Sequence, residues 1–269
     1  MRVLEEIPVV ILCGGRGTRL REQTEYIPKA LVPIGDMPIL LHVMKIYAHY
    51  GLTKFVLCLG YKGDLIKQYF MHYQLMSSDF KLVDGKAELI GPSSSLNSWD
   101  ITFADTGLNT QTGGRIKKIE KYIDTENFFA TYCDGLADVN LQQLLKHHEN
   151  MKRIGTLVAV HPMSPFGIVE EEKGIATSFR EKPSLPGLIN GGFFVFKKHF
   201  FDYLNDDSVL EEDPLKTLAE EKELAVYHHE GFWACMDTFK DFERLNELWE
   251  HSVMPHTGLR GKPPWKIWK

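Results

Sequence analysis

Three stretches far apart in the chain carry residues suited to gripping a polyanion. Gly14, Gly15 and Gly17 follow the apolar run Val9-Val10-Ile11-Leu12-Cys13 and alternate with Arg16, Thr18 and Arg19. A buried strand that breaks into glycines lets backbone N–H groups close around an anion, and cations beside it neutralise phosphate charge. Lys29 lies a short way on, directly after Pro28, whose ring stiffens the backbone before it. An ammonium aimed at the loop would stabilise charge growing on a phosphate, although an ordinary surface lysine fits the spacing too. Asp134 follows the apolar run that ends at Tyr132, and Asp237 follows Gly231-Phe232-Trp233-Ala234-Cys235-Met236. Carboxylates at strand ends are the hard oxygen ligands of Mg²⁺. Asp237 also stands directly before Thr238, where an aspartate can cap a helix, and spacing alone favours the cap. Glu181 and Lys182 set a carboxylate beside an ammonium ahead of Pro183, able to meet a hydroxyl and a phosphate, or simply to form a solvated ion pair.

Several functional classes are excluded or weakened. A dinucleotide loop G-x-G-x-x-G fits at Gly15 and Gly17 but fails at Leu20, and Asp36 precedes Pro38 instead of closing a second strand. The ATPase pattern ending in G-K-[ST] is missing. A net charge of −5 with no Lys/Arg block argues against nucleic acid as a partner. No apolar run reaches the length of a membrane span, and Glu5 and Glu6 interrupt the N-terminal apolar residues, so the cytoplasm is the default location. Cys13, Cys58, Cys133 and Cys235 have no C-x-x-C spacing and read as buried thiols. The pairs His147-His148 and His228-His229 lack further ligands at helical spacing and read as surface residues.

The elements that would position these residues alternate. A strand over 9–12 precedes the loop, a helix runs over 38–49, a strand over 55–59 and a helix over 64–73. That alternation predicts a parallel sheet whose ligands sit at the carboxyl ends of its strands. Residues 80–111 read as a β excursion, with strands over 81–83, 87–90 and 101–104 around a serine-rich loop at 91–95. Gly113 and Gly114 then precede a helix carrying Arg115, Lys117, Lys118 and Lys121, which is either a phosphate contact or a solvated face. Strands over 128–132 and 155–160 enclose a helix over 141–151. A more meandering second half follows, with strands over 166–170, 175–179 and 189–196 and helices over 213–222 and 238–250. No linker divides the chain, so residues 1–269 are expected to form a single domain, nucleotide-binding to about residue 135 and mainly substrate-binding beyond it.

Gly14-Gly15-Arg16-Gly17-Thr18-Arg19-Leu20 with Pro28-Lys29-Ala30-Leu31-Val32-Pro33 resembles the first motif of the sugar-1-phosphate nucleotidyltransferases. The resemblance continues in order through Tyr132-Cys133-Asp134-Gly135, Phe179-Arg180-Glu181-Lys182-Pro183, Ile189-Asn190-Gly191-Gly192 and Met236-Asp237-Thr238, covering essentially the whole chain. Gly60-Tyr61-Lys62-Gly63, Thr112-Gly113-Gly114-Arg115 and Pro264-Trp265-Lys266 are similar to the branch that uses CTP and glucose 1-phosphate. The resemblance implies a Rossmann-like, GT-A-like α/β fold: a mostly parallel twisted sheet, helices on both faces and a smaller β-rich substrate-binding portion. It implies a nucleotidyl transfer from a nucleoside triphosphate to a sugar 1-phosphate, releasing pyrophosphate and giving CDP-glucose. Lys29, Arg19 and Asp134 are then catalytic. Leu12, Gly14, Gly15, Gly17, Thr18, Arg19, Lys29 and Arg115 hold the nucleotide, with Arg19 on the β and γ phosphates. Glu181, Lys182, Asn190 and Gly191 hold the sugar phosphate, and Asp134 and Asp237 hold Mg²⁺. A homo-oligomer is implied as well. Cys133 departs from the glycine usual in the nearest relatives. Another nucleotide such as dTTP, another sugar phosphate, or a non-catalytic nucleotide-sugar-binding regulator stay as alternatives; Lys29, Asp134, Asp237 and Lys182 together favour catalysis.

Overall fold

The computed structural model describes residues 2–90, 95–164, 166–251 and 262–268. Seven apolar segments form one sheet: β1 (Val9–Leu12), β2 (Lys54–Leu59), β3 (Asp100–Asp105), β4 (Asn127–Tyr132), β5 (Gly155–Val160), β6 (Ile189–Lys197) and β7 (Leu224–His229). Their order across the sheet is β7-β5-β6-β4-β1-β2-β3. β7 with β5, and the run β4-β1-β2-β3, pair in parallel, whereas β6 runs antiparallel to both its neighbours.

The continuous apolar character of β1 follows from burial on both faces. Val9 and Ile11 join one core and Val10 and Leu12 the other. The first core packs α1 (Ile39–His49), whose buried residues include Leu40, Val43, Met44 and Tyr47. The second takes Ile116 from α3 (Thr112–Lys118) and Leu215 and Leu218 from α5 (Asp213–Glu220). α2 (Gly63–Met76), α4 (Leu141–Met151) and α6 (Phe239–His251) are the other long helices among the described residues. Near the end of the chain, Trp265 is fully buried and donates its indole N–H to His42 Nδ1 at 3.2 Å, while His42 Nε2 meets the Ile34 carbonyl at 2.8 Å.

Several sequence expectations need correction. The strand over 101–104 is no part of an excursion; it is β3, the sheet's edge, and only the hairpin Asp79–Val83/Lys86–Ile90 leaves the sheet. β6 sits near the middle of the sheet because Phe193–Phe196 are buried on both faces, and β7 was not anticipated. The β-rich portion is the hairpin Ile168–Glu172/Ile175–Arg180. Gly113 and Gly114 lie inside the first turn of α3, not before it. His148 is buried, with Nδ1 2.8 Å from Thr156 Oγ1, so its pair is not a surface pair; burial pushes its pKa down to about 4. The loop expected over 91–95 lies, apart from Ser95, outside the described residues.

Candidate active site

β1 and β4 run side by side in the register Leu12 to Tyr132, so the glycine loop and Cys133-Asp134 leave the sheet together at its carboxyl edge. Among the loop glycines, Gly17 needs its residue type for conformation, with φ +62°. A Cβ there would stand 2.9 Å from Thr24 Cγ2 and 3.2 Å from Lys29 Cβ. The next residues form a single 3₁₀ turn, Thr18–Leu20, that buries Leu20 and leaves Thr18 and Arg19 exposed.

Lys29 opens another 3₁₀ turn, Lys29–Leu31, with Pro28 at its cap and Ala30 and Val32 anchoring it in the core. Its side chain is 13% exposed. The ammonium bridges two carboxylates, pairing with Asp134 Oδ2 and lying 2.7 Å from Asp237 Oδ1. Burial pushes the Lys29 pKa down, but Asp134 and Asp237 outweigh it and hold the group protonated, with its pKa raised. Asp237 feels the converse: burial raises its pKa, and Lys29 and Arg19 bring it below the usual carboxylate value.

The capping role that spacing offers Asp237 is filled by its neighbours. Thr238 Oγ1 donates to Asp241 Oδ2 at 2.8 Å, and the backbone N–H of Thr238 donates to the same oxygen at 2.8 Å. Asp241 N–H donates back to Thr238 Oγ1 at 3.3 Å. Thr238 and Asp241 thus cap α6 reciprocally. The Asp237 carboxylate is free of that duty and turns to Lys29 and to Arg19, whose Nη1 is 3.3 Å from Oδ2. Among the described residues no three His, Cys, Asp or Glu side chains group as metal ligands. Two carboxylates already converging on one cation suit a hard dication that completes its shell with phosphate oxygens and water.

Two cavities meet here. One, of about 260 Å³, is lined by Leu12, Gly14, Gly15, Gly17 and Lys29 with Thr112. The other, of about 380 Å³, is lined by Arg19, Asn190, Gly191, Trp233, Cys235 and Asp237. Tyr132 and Asp134 line both. Asn190 reaches the second cavity through a bulge: the pairing of β5 with β6 jumps from Leu157–Phe194 to Ala159–Asn190. Gly192, at φ +78°, accommodates it, donating its N–H to Asn190 Oδ1 at 2.8 Å. Gly191 O accepts from Trp233 Nε1 at 2.7 Å.

Not every expected site residue converges. Arg115 is 4% exposed and its guanidinium is occupied by Leu59 O, Gly107 O, Leu108 O, Gly14 O and Thr106 Oγ1. It braces the glycine loop through Gly14 O and also lines the glycine-loop cavity, beside the expected place of the nucleotide. Arg19 belongs to the second cavity with Asp237 and not to the glycine-loop cavity. Glu181 and Lys182 follow the end of the hairpin strand Ile175–Arg180, are exposed, and pair with each other at 3.2 Å; neither lines the two cavities. Gly113 and Gly114 are buried at close approaches of the chain. A Cβ on Gly113 would meet Ser208 at 2.7 Å, and one on Gly114 would strike the Asp206 carbonyl. Cys133 is buried in the first cavity wall beside Cys13, whose thiol pKa is raised by burial and then by Cys133. Tyr132, Thr112, Trp233 and Glu211 were not assigned to the site. Tyr132 carried a signal, standing two residues before Asp134, whereas Glu211 carried none.

Residues 8–252 match the family model described as nucleotidyl transferase. The chain is 42% identical over 265 residues to glucose-1-phosphate cytidylyltransferase of Salmonella typhi, covering 97% of this chain and 99% of that one. It is 44% identical over 263 residues to a Bacillus subtilis (strain 168) protein named a probable glucose-1-phosphate cytidylyltransferase, covering 96% and 99%. Among solved structures, UDP-glucose pyrophosphorylase complexed with UDP-glucose superposes with a TM-score of 0.67 at 17% identity, over 91% of this chain and 98% of the other. At that identity the likeness speaks for the fold alone. The motif order, the sheet and these matches agree: this chain belongs to the nucleotidyl transferase family.

Proposed function

We propose that this enzyme transfers the cytidylyl group of CTP to α-D-glucose 1-phosphate, releasing pyrophosphate and forming CDP-glucose. One observation carries the reading: two cavities share Tyr132 and Asp134 as a common wall, and the Lys29 ammonium sits at that wall between two carboxylates. The base choice rests on relatives named glucose-1-phosphate cytidylyltransferase.

The glycine loop takes the triphosphate, with Leu12, Gly14, Gly15, Gly17 and Thr18 offering backbone and a short side chain close to its phosphates. The sugar phosphate takes the second cavity, with Asn190 and Gly191 on its hydroxyls and Arg19 near its charge. A phosphate oxygen of the sugar attacks the α-phosphorus, and the bond to pyrophosphate breaks on the opposite side. Lys29 stabilises the charge that grows there, a role suited to an ammonium already held protonated. Asp134 and Asp237 would hold Mg²⁺, which offsets phosphate charge when bound. Glu181 and Lys182 reach the sugar phosphate only if the hairpin that carries them moves toward the cleft, and we assign them that role on the motif.

We further propose that the described chain works as one catalytic unit and that it acts as a homo-oligomer. Exposed apolar side chains on the hairpin Asp79–Val83/Lys86–Ile90, among them Leu82 and Ile90, support the second point. Pyrophosphate release measured over a panel of triphosphates and sugar 1-phosphates tests the function. CTP with glucose 1-phosphate is expected to turn over fastest; a preference for dTTP or for another sugar would overturn the substrate assignment and leave the reaction class.

A further inference from the structure

Glu211 stands apart from every motif, in the loop ahead of α5, yet it is part of the second cavity's wall. Its two carboxylate oxygens have separate donors. The Tyr132 hydroxyl donates to Oε1, and Thr112 Oγ1 donates to Oε2 at 2.8 Å. Tyr132 lines both cavities and Thr112 lines the glycine-loop cavity, so the one carboxylate ties the two substrate sites together. The link extends on both sides. Asn190 lines the same cavity as Tyr132, and the Tyr132 ring packs on Gly192, where a Cβ would come within 2.7 Å of it. Thr112 Oγ1 accepts from Leu210 N at 2.9 Å, and Gly114 N donates to Ser208 O at 2.9 Å, fastening Glu211's own loop to α3.

A carboxylate has about four acceptor positions, and two protein donors leave the others open. Glu211 is exposed to solvent in the cavity that also holds Asn190, a setting in which an unfilled acceptor meets a hydroxyl-rich ligand. We propose that Glu211 is a further recognition residue for the sugar, accepting from its hydroxyls, and that its bond to Thr112 couples sugar affinity to the nucleotide site. This rests on the nucleotidyl-transfer reading above. A carboxylate at this point would prefer a sugar 1-phosphate with free hydroxyls over a deoxy analogue, because the deoxy compound leaves its acceptor unmatched.

The test uses E211Q and T112V in the full chain, reading kcat and both KM values together with thermal unfolding. E211Q keeps the size but replaces one acceptor oxygen by a donor. It is expected to raise KM for glucose 1-phosphate about tenfold or more, the span of one lost polar contact to a substrate hydroxyl, while KM for CTP moves less than about threefold. T112V removes the donor to Glu211 on the nucleotide side, and with it the acceptor of Leu210 N, a loss that thermal unfolding reads separately. It is expected to raise the sugar KM at least about threefold although Thr112 does not line the sugar cavity. A sugar KM within twofold of the parent in E211Q, or equal rises in both KM values with a lowered unfolding temperature, overturns the proposal. So does a T112V variant whose sugar KM stays at the parental value. If the parent turns over a different substrate pair, the substrate assignment falls, and the same ratios measured on that pair still decide the role of Glu211.

Discussion

Arg115→Lys separates a brace from a ligand. The guanidinium donates to five acceptors, at 3.0 Å to Leu59 O, 2.7 Å to Thr106 Oγ1, 2.8 Å to Gly107 O, 3.1 Å to Gly14 O and 3.4 Å to Leu108 O. No carboxylate pairs with it among these contacts, so four carbonyls and one hydroxyl are its direct partners. A lysine ammonium has three donors on an unforked stem that reaches less far, and at least two of the acceptors go unserved. Hydrogen bonds to a charged group contribute about 1.5–3 kcal/mol each. Gly14 O keeps the Tyr61 N–H at 3.1 Å, and Leu59 O keeps Thr106 N at 3.0 Å, which softens the loss. A net cost of about 3 kcal/mol follows, or a fall of roughly 6–12 °C in Tm for a chain of this size. Because Gly14 is one of the acceptors, the phosphate loop also slackens, and KM for CTP should rise while kcat at saturation stays within a few-fold. Scanning calorimetry and initial rates check both. An unfolding temperature equal to the parent's, with a tenfold weaker nucleotide KM, would mean that the guanidinium meets the nucleotide itself, and the bracing role would be refuted.

Asp237→Asn should abolish most turnover with little change in Tm, whereas Thr238→Ala should cost about 1 kcal/mol of stability and keep turnover, since the cap lies with Thr238 and Asp241; the reverse pattern in rates and melting would refute the division. Gly17→Ala forces a Cβ into left-handed backbone against Thr24 and Lys29, so about 1–2 kcal/mol of stability and much of kcat should be lost, while Gly15→Ala, with nothing within 4 Å, should melt as the parent does. His42 and His148 are each pushed down to about 4 by burial, so the unfolded chain binds more protons between that value and the ordinary 6.5. Stability should therefore be flat above about pH 6.5 and fall as the pH drops toward 4, by up to about 1.4 kcal/mol per pH unit for each ring. His148→Gln should shallow that slope in urea titrations, and an unchanged slope would refute it.

Much of this architecture was legible because it rests on local pattern. β1 reads from four apolar residues with no polar break, and α1 from an apolar face after Pro38, each signal complete within a dozen residues. The glycine loop and Asp134 were legible for a different reason: each follows an apolar run, and strand ends in parallel sheets share one edge, whereas Lys29 and Asp237 were marked by the family motif, since spacing alone allowed a surface lysine and favoured a cap. What stayed hidden depends on partners distant in the chain. Nothing near Arg115 says that five acceptors from three other segments will enclose it, and its basic neighbours Lys117 and Lys118 suggested an anion instead. β6 was read only as one strand of a meandering second half, because antiparallel insertion between β5 and β4 is a matter of topology, not of its own residues. Gly113 and Gly114 left a phosphate contact and a solvated face both open, while their actual neighbour, the backbone at Asp206 and Ser208, lies some ninety positions away. Glu211, one acid among Glu211, Glu212 and Asp213, has no local pattern that marks it.

The long return of the chain onto its own beginning has a bearing on biosynthesis. Lys29 meets Asp237 across 208 positions, and His42 receives the Trp265 indole across 223. A polypeptide grows from its N-terminus and its early parts fold first, so the phosphate loop and its lysine emerge long before either closing contact exists. Until then Lys29 has at most one of its two carboxylates, and the helix beside it lacks the indole that seals its flank. Bringing such remote ends together carries a large loop-closure cost, which places their docking among the last steps of maturation. A nascent chain can thus hold a nucleotide loop without holding a working transferase, and competence arrives together with the final residues of the fold.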